Sequence, residues 1–144
     1  MILKAGVILI KDNQICLVNR KKYNDYSFPK GHLEKNESLL ECAIRETNEE
    51  TKREVKIIDE NPVYIEDYLN AKKKACRCYY YLGYDNGHSD NTSTDTHKIV
   101  WVNFDEVCDK LSYESLKKVW NSIKDKVKYC IEENKWKRKY YYGH

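Results

Sequence analysis

Gly31-His32-Leu33-Glu34-Lys35-Asn36-Glu37, followed after seven residues by Arg45-Glu46-Thr47-Asn48-Glu49-Glu50, decides how this chain is read. A helix is expected from Glu37-Ser38, with Leu40, Ala43, Ile44 and Thr47 at offsets 0, 3, 4 and 7 forming the stripe that faces the core. On that helix Glu46, Glu49 and Glu50 stand at i, i+3 and i+4, so their carboxylates leave one face about one turn apart. Like charges so placed destabilise a helix by about 0.2–0.5 kcal/mol per pair. A divalent cation reverses that sign. Clusters with oxygen ligands alone suit Mg2+, or Mn2+ in its place, ions that keep several waters and bind substrate phosphates. For three glutamates taken alone, a solvated acidic face is the competing reading.

A chain of 144 residues points to one domain with room for a layered core. Hydrophobic residues at 41% and charged ones at 34% read as globular rather than disordered. The net charge of +3 is too small to argue for nucleic acid by itself. The charge is uneven, however. The acidic helix contrasts with basic Arg20-Lys21-Lys22, Lys72-Lys73-Lys74 and Lys135-Trp136-Lys137-Arg138-Lys139, which suits a polyanionic substrate.

No apolar run approaches the ~18 residues of a membrane span, and no cleavable signal is read at the N-terminus. Cys16, Cys42, Cys76, Cys78, Cys108 and Cys130 are scattered, without partners at zinc-finger spacing. They are expected to be reduced thiols of a cytoplasmic protein.

Along the chain, Ala5–Ile10 and Ile15–Val18 read as a hairpin about Asp12-Asn13, and Ser27-Phe28-Pro29-Lys30-Gly31 leads into a loop. Further strands are expected at Val55–Ile58, Val63–Ile65, Ala75–Leu82 and Ile99–Val102, with residues 85–97 as the longest loop. From Ser112 to Glu132 a long amphipathic helix carries Leu116, Val119, Trp120, Ile123, Val127, Cys130 and Ile131. Strands with a central and a C-terminal helix indicate an α/β or α+β layered domain.

The first motif resembles the Nudix box, G-x5-E-x7-R-E-U-x-E-E-x-G-U with U aliphatic. Gly31, Glu37, Arg45, Glu46, Glu49 and Glu50 are all in register. Thr47, Lys52 and Arg53 depart from it, replacing an aliphatic residue, a glycine and an aliphatic residue. Helices often end on a left-handed glycine. Lys52 is therefore expected to prolong the helix past Glu50, or to cap it by charge rather than by backbone conformation. The resemblance implies a mixed sheet sandwiched between helices, with the box as loop-helix-loop, and extends to Trp101-Val102-Asn103-Phe104-Asp105-Glu106. On this reading residues 1–134 form a single domain and 135–144 a basic, tyrosine-rich tail.

The same resemblance implies roles. Glu46 and Glu50 would bind the metal with the Gly31 carbonyl, and Glu49 would be either a further ligand or the base that activates water. Glu37 and Arg45 look like the supporting pair, and Asp90 or Asp95 is the candidate late-loop acid. Phe28-Pro29-Lys30-Gly31-His32 resembles the members acting on diadenosine polyphosphates and diphosphoinositol polyphosphates, which gives Lys30 and His32 phosphate-facing roles. Arg20 and Lys22 are further phosphate candidates. Tyr80, opposite in alternation to Tyr79 and Tyr81, is a candidate for a purine pocket. Tyr68 is near, but not in register with, a tyrosine that marks some of these hydrolases. The implied function is Mg2+-dependent hydrolysis of a pyrophosphate bond, with a dinucleoside polyphosphate as the leading substrate. The alternatives are removal of an RNA cap or 5'-end diphosphate, and a catalytically silent nucleotide-binding domain. A nucleic-acid partner is not favoured, and the oligomeric state is left open.

Overall fold

The computed structural model describes residues 1–140. Among the described residues the strands are β1 (Ile2–Lys11), β2 (Gln14–Arg20), β3 (Asp25–Ser27), β4 (Gly31–His32), β5 (Arg53–Ile57), β6 (Tyr64–Leu69), β7 (Ala75–His88) and β8 (Lys98–Asn103). The helices are α1 (Leu39–Thr51), α2 (Val107–Lys110) and α3 (Glu114–Tyr140), with a 3-10 turn at Phe104–Glu106 before α2.

The strands form one mixed sheet, in which β1 pairs in parallel with β7 from Ile2↔Cys76 to Ile10↔Tyr84. Beyond β7 lie β6 and β5, antiparallel and sharing its outer edge in succession. On its other side β1 meets β2 only at the two-residue turn, Ile10↔Ile15 and Lys11↔Gln14, before the strands splay apart. β4 fills the far end of that gap, pairing with Lys4 and Ala5.

Helices cover both faces. α1 lies on Ala5, Val7, Leu9, Cys16 and Tyr81, while α3 brings Val119, Trp120 and Ile123 against Ile8, Ile10, Leu17, Phe28 and Tyr80. The mixed α/β sandwich expected from the sequence is the architecture observed.

The splay leaves the Val7 N–H without a strand partner. Thr47 accepts it through Oγ1 at 3.1 Å, with both groups buried. A hydroxyl in a slot otherwise aliphatic thus has a structural reason. At Gly6 an added Cβ would lie 1.9 Å from the Pro29 carbonyl oxygen, so this glycine lets the 28–30 segment lie flat on β1.

Several expectations need correction. α1 begins at Leu39, with Ser38 as N-cap in a reciprocal capping box with Glu41. Its buried face carries Cys42, Ala43, Thr47 and Thr51, with Ile44 only partly covered. The expected loop at 85–97 begins as strand, because β7 runs on to His88. The polar Asp85 is neutralised there by a two-pronged Arg53 contact, 2.8 Å to each oxygen. Short strands β3 and β4 flank the 28–30 segment.

α3 continues through the basic segment to Tyr140, supported by the Glu133–Lys137 pair at 3.0 Å and by Arg138 on Asp12 at 2.6 Å. The last four residues of the expected tail lie outside the described residues. Lys52 is left-handed, φ 57° and ψ 34°, and α1 stops at Thr51. The lysine neither prolongs the helix beyond that residue nor caps it by charge, since its ammonium reaches Ser93 instead.

Thr47→Val, a change toward the aliphatic consensus, is expected to destabilise the fold by about 1–3 kcal/mol by leaving the buried Val7 N–H unmet. Thr47→Ser should recover most of that. Chemical denaturation of the three proteins measures it, and a Val variant as stable as the parent would refute the role given to this hydroxyl.

Candidate active site

The site grows from two backbones pressed together. Phe28 is buried against Tyr80, edge to face at a centroid distance of 5.7 Å, and near Trp120, which anchors the 28–32 segment over the sheet. The Lys30 N–H then donates to Glu50 Oε1 at 3.0 Å. One residue on, the Glu46 carboxyl lies against the Gly31 Cα, where an added Cβ would fall 2.1 Å from its carboxyl carbon. Gly31 is required here for close approach. Its carbonyl accepts the Cys42 S–H at 3.6 Å.

Arg45 ties these parts together. Nε and Nη2 grip both oxygens of Glu37 at 2.6 and 3.0 Å, and Nη2 also donates to the His32 carbonyl at 3.0 Å. Nη1 donates to Glu46 at 2.8 Å and Glu49 at 3.2 Å. The guanidinium holds the Glu37 carboxyl below the usual range.

Glu50 behaves oppositely. Burial first, then the charges of Glu46 and Asp95, push its carboxyl up to about 8 against the pull of Lys30. Burial also raises Glu46. As placed, no three His, Cys, Asp or Glu groups among the described residues converge at metal-binding distance. Glu46 and Glu49 face Arg45, and Glu50 faces the Lys30 N–H. The donor chemistry nevertheless fits a hard cation: three carboxylates on one helix face, two of them hard to ionise without added positive charge. Glu46, Glu50 and the Gly31 carbonyl are the groups that would hold it, with Glu49 beside them.

Both candidate late-loop acids are exposed; the charge of Asp95 bears on Glu46 and Glu50, and Asp90 stands at the start of that loop. His97 approaches Glu50 as well, Nε2 to Oε2 at 3.5 Å.

The cationic candidates divide. Lys30 extends toward Tyr80 Oη at 3.5 Å and over the Tyr68 ring at 5.0 Å. Lys4, directly opposite His32 across β1 and β4, lies 5.7 Å over the same ring. Burial and then the Lys30 charge lower the Lys4 ammonium, while burial and Lys4 lower the His32 imidazole. Among the described residues no carboxylate pairs with Lys4 or Lys30.

Arg20 is committed elsewhere. It grips buried Asp25 with two nitrogens, bonds Tyr113 and stacks on Tyr23. Lys22 is exposed, 5.3 Å over Tyr23. The Tyr80 ring is wholly buried and offers no face to a base; its hydroxyl donates to Glu66 at 3.2 Å.

Sequence reasoning missed Lys4, Cys42 and His97. Lys4 was findable as a lone cation opening an apolar strand. Cys42 and His97 left no signal, since each acts through a contact distant in sequence.

Comparison with known proteins gives a consistent picture. A family model described as the NUDIX domain matches residues 2–123. An 8-oxo-(d)GTP phosphatase of Mycolicibacterium smegmatis is 26% identical over 106 residues. That match covers 74% of this chain, which spans 32% of the relative's length. Among solved structures, a binary complex of the Caenorhabditis elegans Ap4A hydrolase superposes with TM-score 0.72 at 19% identity, covering 89% of this chain and 98% of that one. A NUDIX hydrolase from Nitrosomonas europaea gives 0.71 at 20% identity, covering 84% and 86%. At such identities the two structures speak for the fold.

Glu50→Gln is expected to lower turnover by about 100-fold or more, the scale of losing one preorganised electrostatic partner. The Gln oxygen can still accept the Lys30 N–H, so the metal-free protein at pH 8 should melt no lower than the parent. Near-parental turnover with Mg2+ would remove this face from the chemistry.

Proposed function

The chain belongs to the NUDIX family, and from that premise we propose that it is a Mg2+-dependent pyrophosphohydrolase acting on a nucleoside polyphosphate, with a dinucleoside tetraphosphate as the leading substrate. The observation that carries this reading is the double use of residue 30. Its N–H holds Glu50 of the acidic face, while its ammonium joins Lys4 over the Tyr68 ring, without a carboxylate partner. A cation site and a pair of unneutralised ammonium groups are thereby joined through one residue. A phosphate chain laid along them meets positive charge at both ends.

When bound, the metal would neutralise phosphoryl charge and acidify a water. The protein supplies the rest. Glu46 and Glu50 present oxygens from a rigid helix face, and Gly31 allows Glu46 to approach the loop. Arg45 fixes the angle between loop and helix through Glu37 and the His32 carbonyl. The Glu49 carboxylate, bonded only to Arg45 among the described residues, is placed to turn toward a water as base or toward the metal as ligand. Lys30 and Lys4 hold a phosphate away from the reacting one, and His32 flanks them. Six unpaired thiols suit a cytosolic setting.

The M. smegmatis relative's name favours a second reading, hydrolysis of a single nucleoside triphosphate. A panel of nucleoside triphosphates and dinucleoside polyphosphates, assayed with Mg2+, separates the two. The leading reading expects the tetraphosphate-bridged dinucleotide to have the highest kcat/KM; a triphosphate exceeding it would favour the second.

Lys30→Ala and Lys4→Ala are each expected to reduce kcat/KM on tetraphosphate-bridged dinucleotides by about 10-fold or more, as for loss of a charge-assisted contact. The loss on diphosphate-bridged ones should be clearly smaller. Equal losses on both substrates would leave these lysines structural.

A further inference from the structure

The residue that replaces the glycine of the box pattern, while keeping a left-handed backbone, is also the one that reaches the late loop. An α-helix leaves its last four carbonyls without helical partners. In α1 residues 89–97 meet two of them: Thr96 Oγ1 donates to the Glu49 carbonyl at 3.3 Å and the His97 N–H to that of Glu50 at 2.9 Å. The Lys52 N–H closes on the Asn48 carbonyl at 2.9 Å, and the Lys52 carbonyl accepts from the Ser89 N–H at 2.9 Å. Asn91 Nδ2 donates to Asn48 Oδ1 at 2.6 Å. The same loop carries Asp95, whose charge bears on Glu46 and Glu50, and His97, 3.5 Å from Glu50.

Glycine would adopt the left-handed cap without strain. It would have no side chain to offer. Lys52 accepts the unfavourable conformation and sends Nζ to the Ser93 carbonyl at 2.6 Å, in the middle of the loop.

Resting on the hydrolase reading above, we infer that Lys52 is a positioning residue: from its left-handed cap it ties the loop at Ser93 and so holds Asp95 and His97 against the Glu46 and Glu50 end of the acidic face. The tether acts on the site through the loop and touches no substrate.

Lys52→Gly, Lys52→Met and Lys52→Arg separate strain from tether. Met keeps a long side chain in the strained cap without a donor, Gly removes both strain and donor, and Arg keeps a cationic donor. Hydrogen exchange of the amides in 89–97 is measured for all three, with Mn2+ affinity followed by electron paramagnetic resonance of the free ion. Exchange in the loop should quicken by about 10-fold or more in the Gly and Met variants and stay near parental in Arg. Mn2+ affinity should fall by about 10-fold to 100-fold in the first two, the range for a partner outside the ligand set. The melting temperature of the Gly variant should hold or rise despite these losses. Loop exchange or Mn2+ affinity unchanged in Lys52→Met overturns the inference, whatever the melting temperatures do. A parent protein that binds no Mn2+ and cleaves no polyphosphate would instead overturn the hydrolase reading, leaving loop exchange to judge the tether alone.

Discussion

The geometry of the site depends on the Arg45 guanidinium. Its nitrogens join two pieces: the loop at Glu37 and His32, and the helix at Glu46 and, one turn on, at Glu49. A planar fork grips both oxygens of a carboxylate with two parallel N–H groups while its other donors reach further partners, a geometry an ammonium does not offer. Without that charge, four carboxylates would crowd one helix and its approach loop. With it, Glu37, Glu46 and Glu49 are held and Glu50 stays apart on the Lys30 N–H. The repulsion inferred from glutamates at i, i+3 and i+4 is thus only partly relieved by the chain itself. Glu50, buried and still facing Glu46 and Asp95, keeps the remainder.

The splay of β1 from β2 gives this hub its floor. Where the strands part, the sheet would leave buried donors unmet, and the chain answers with Thr47 on Val7 and with β4 on Lys4 and Ala5. β4 is the start of the site loop, and Thr47 lies one residue after Glu46. The gap in the sheet therefore sets the place of both halves of the acidic face. It also puts Lys4 beside Lys30, because pairing of β4 with β1 brings the two segments side by side.

Which features were readable in the sequence follows from the range of the interactions behind them. The glutamate face was legible because i, i+3 and i+4 spacing is local. The helix start was legible to within two residues for the same reason, with Ser38 as the N-cap before Leu39. The lysine at position 52 was misread, since its left-handed cap is coupled to a contact with Ser93, 41 residues away. Tyr80 was placed correctly opposite Tyr79 and Tyr81, but alternation does not say that helices bury both faces of a strand. Its neighbours pack under α1 while Tyr80 packs under α3. Arg20 looked free for phosphate because its partner Asp25, a buried carboxylate, carries no sign of burial in its own sequence context. The helical continuation to Tyr140 was hidden by polarity: ion pairs along the helix and to Asp12, rather than an apolar stripe, support it.

The central claim is that the acidic face of α1 is a cation site whose ionisation the cation completes. Glu50 takes up its proton more readily folded than unfolded. The stability this gives is therefore full below its ordinary value of 4.5 and lost as pH rises through about 8. In the proposed site Mg2+ would compete with the proton for the same carboxylate, so its stabilising effect is expected to grow over that interval. The direct measurement is the difference in melting temperature with and without saturating Mg2+ between pH 6.5 and 8.5. Taking the difference cancels titrations that the ion does not perturb. The account predicts a Mg2+-induced rise that increases steadily with pH. A rise that is absent, or that is constant across the interval, would contradict it.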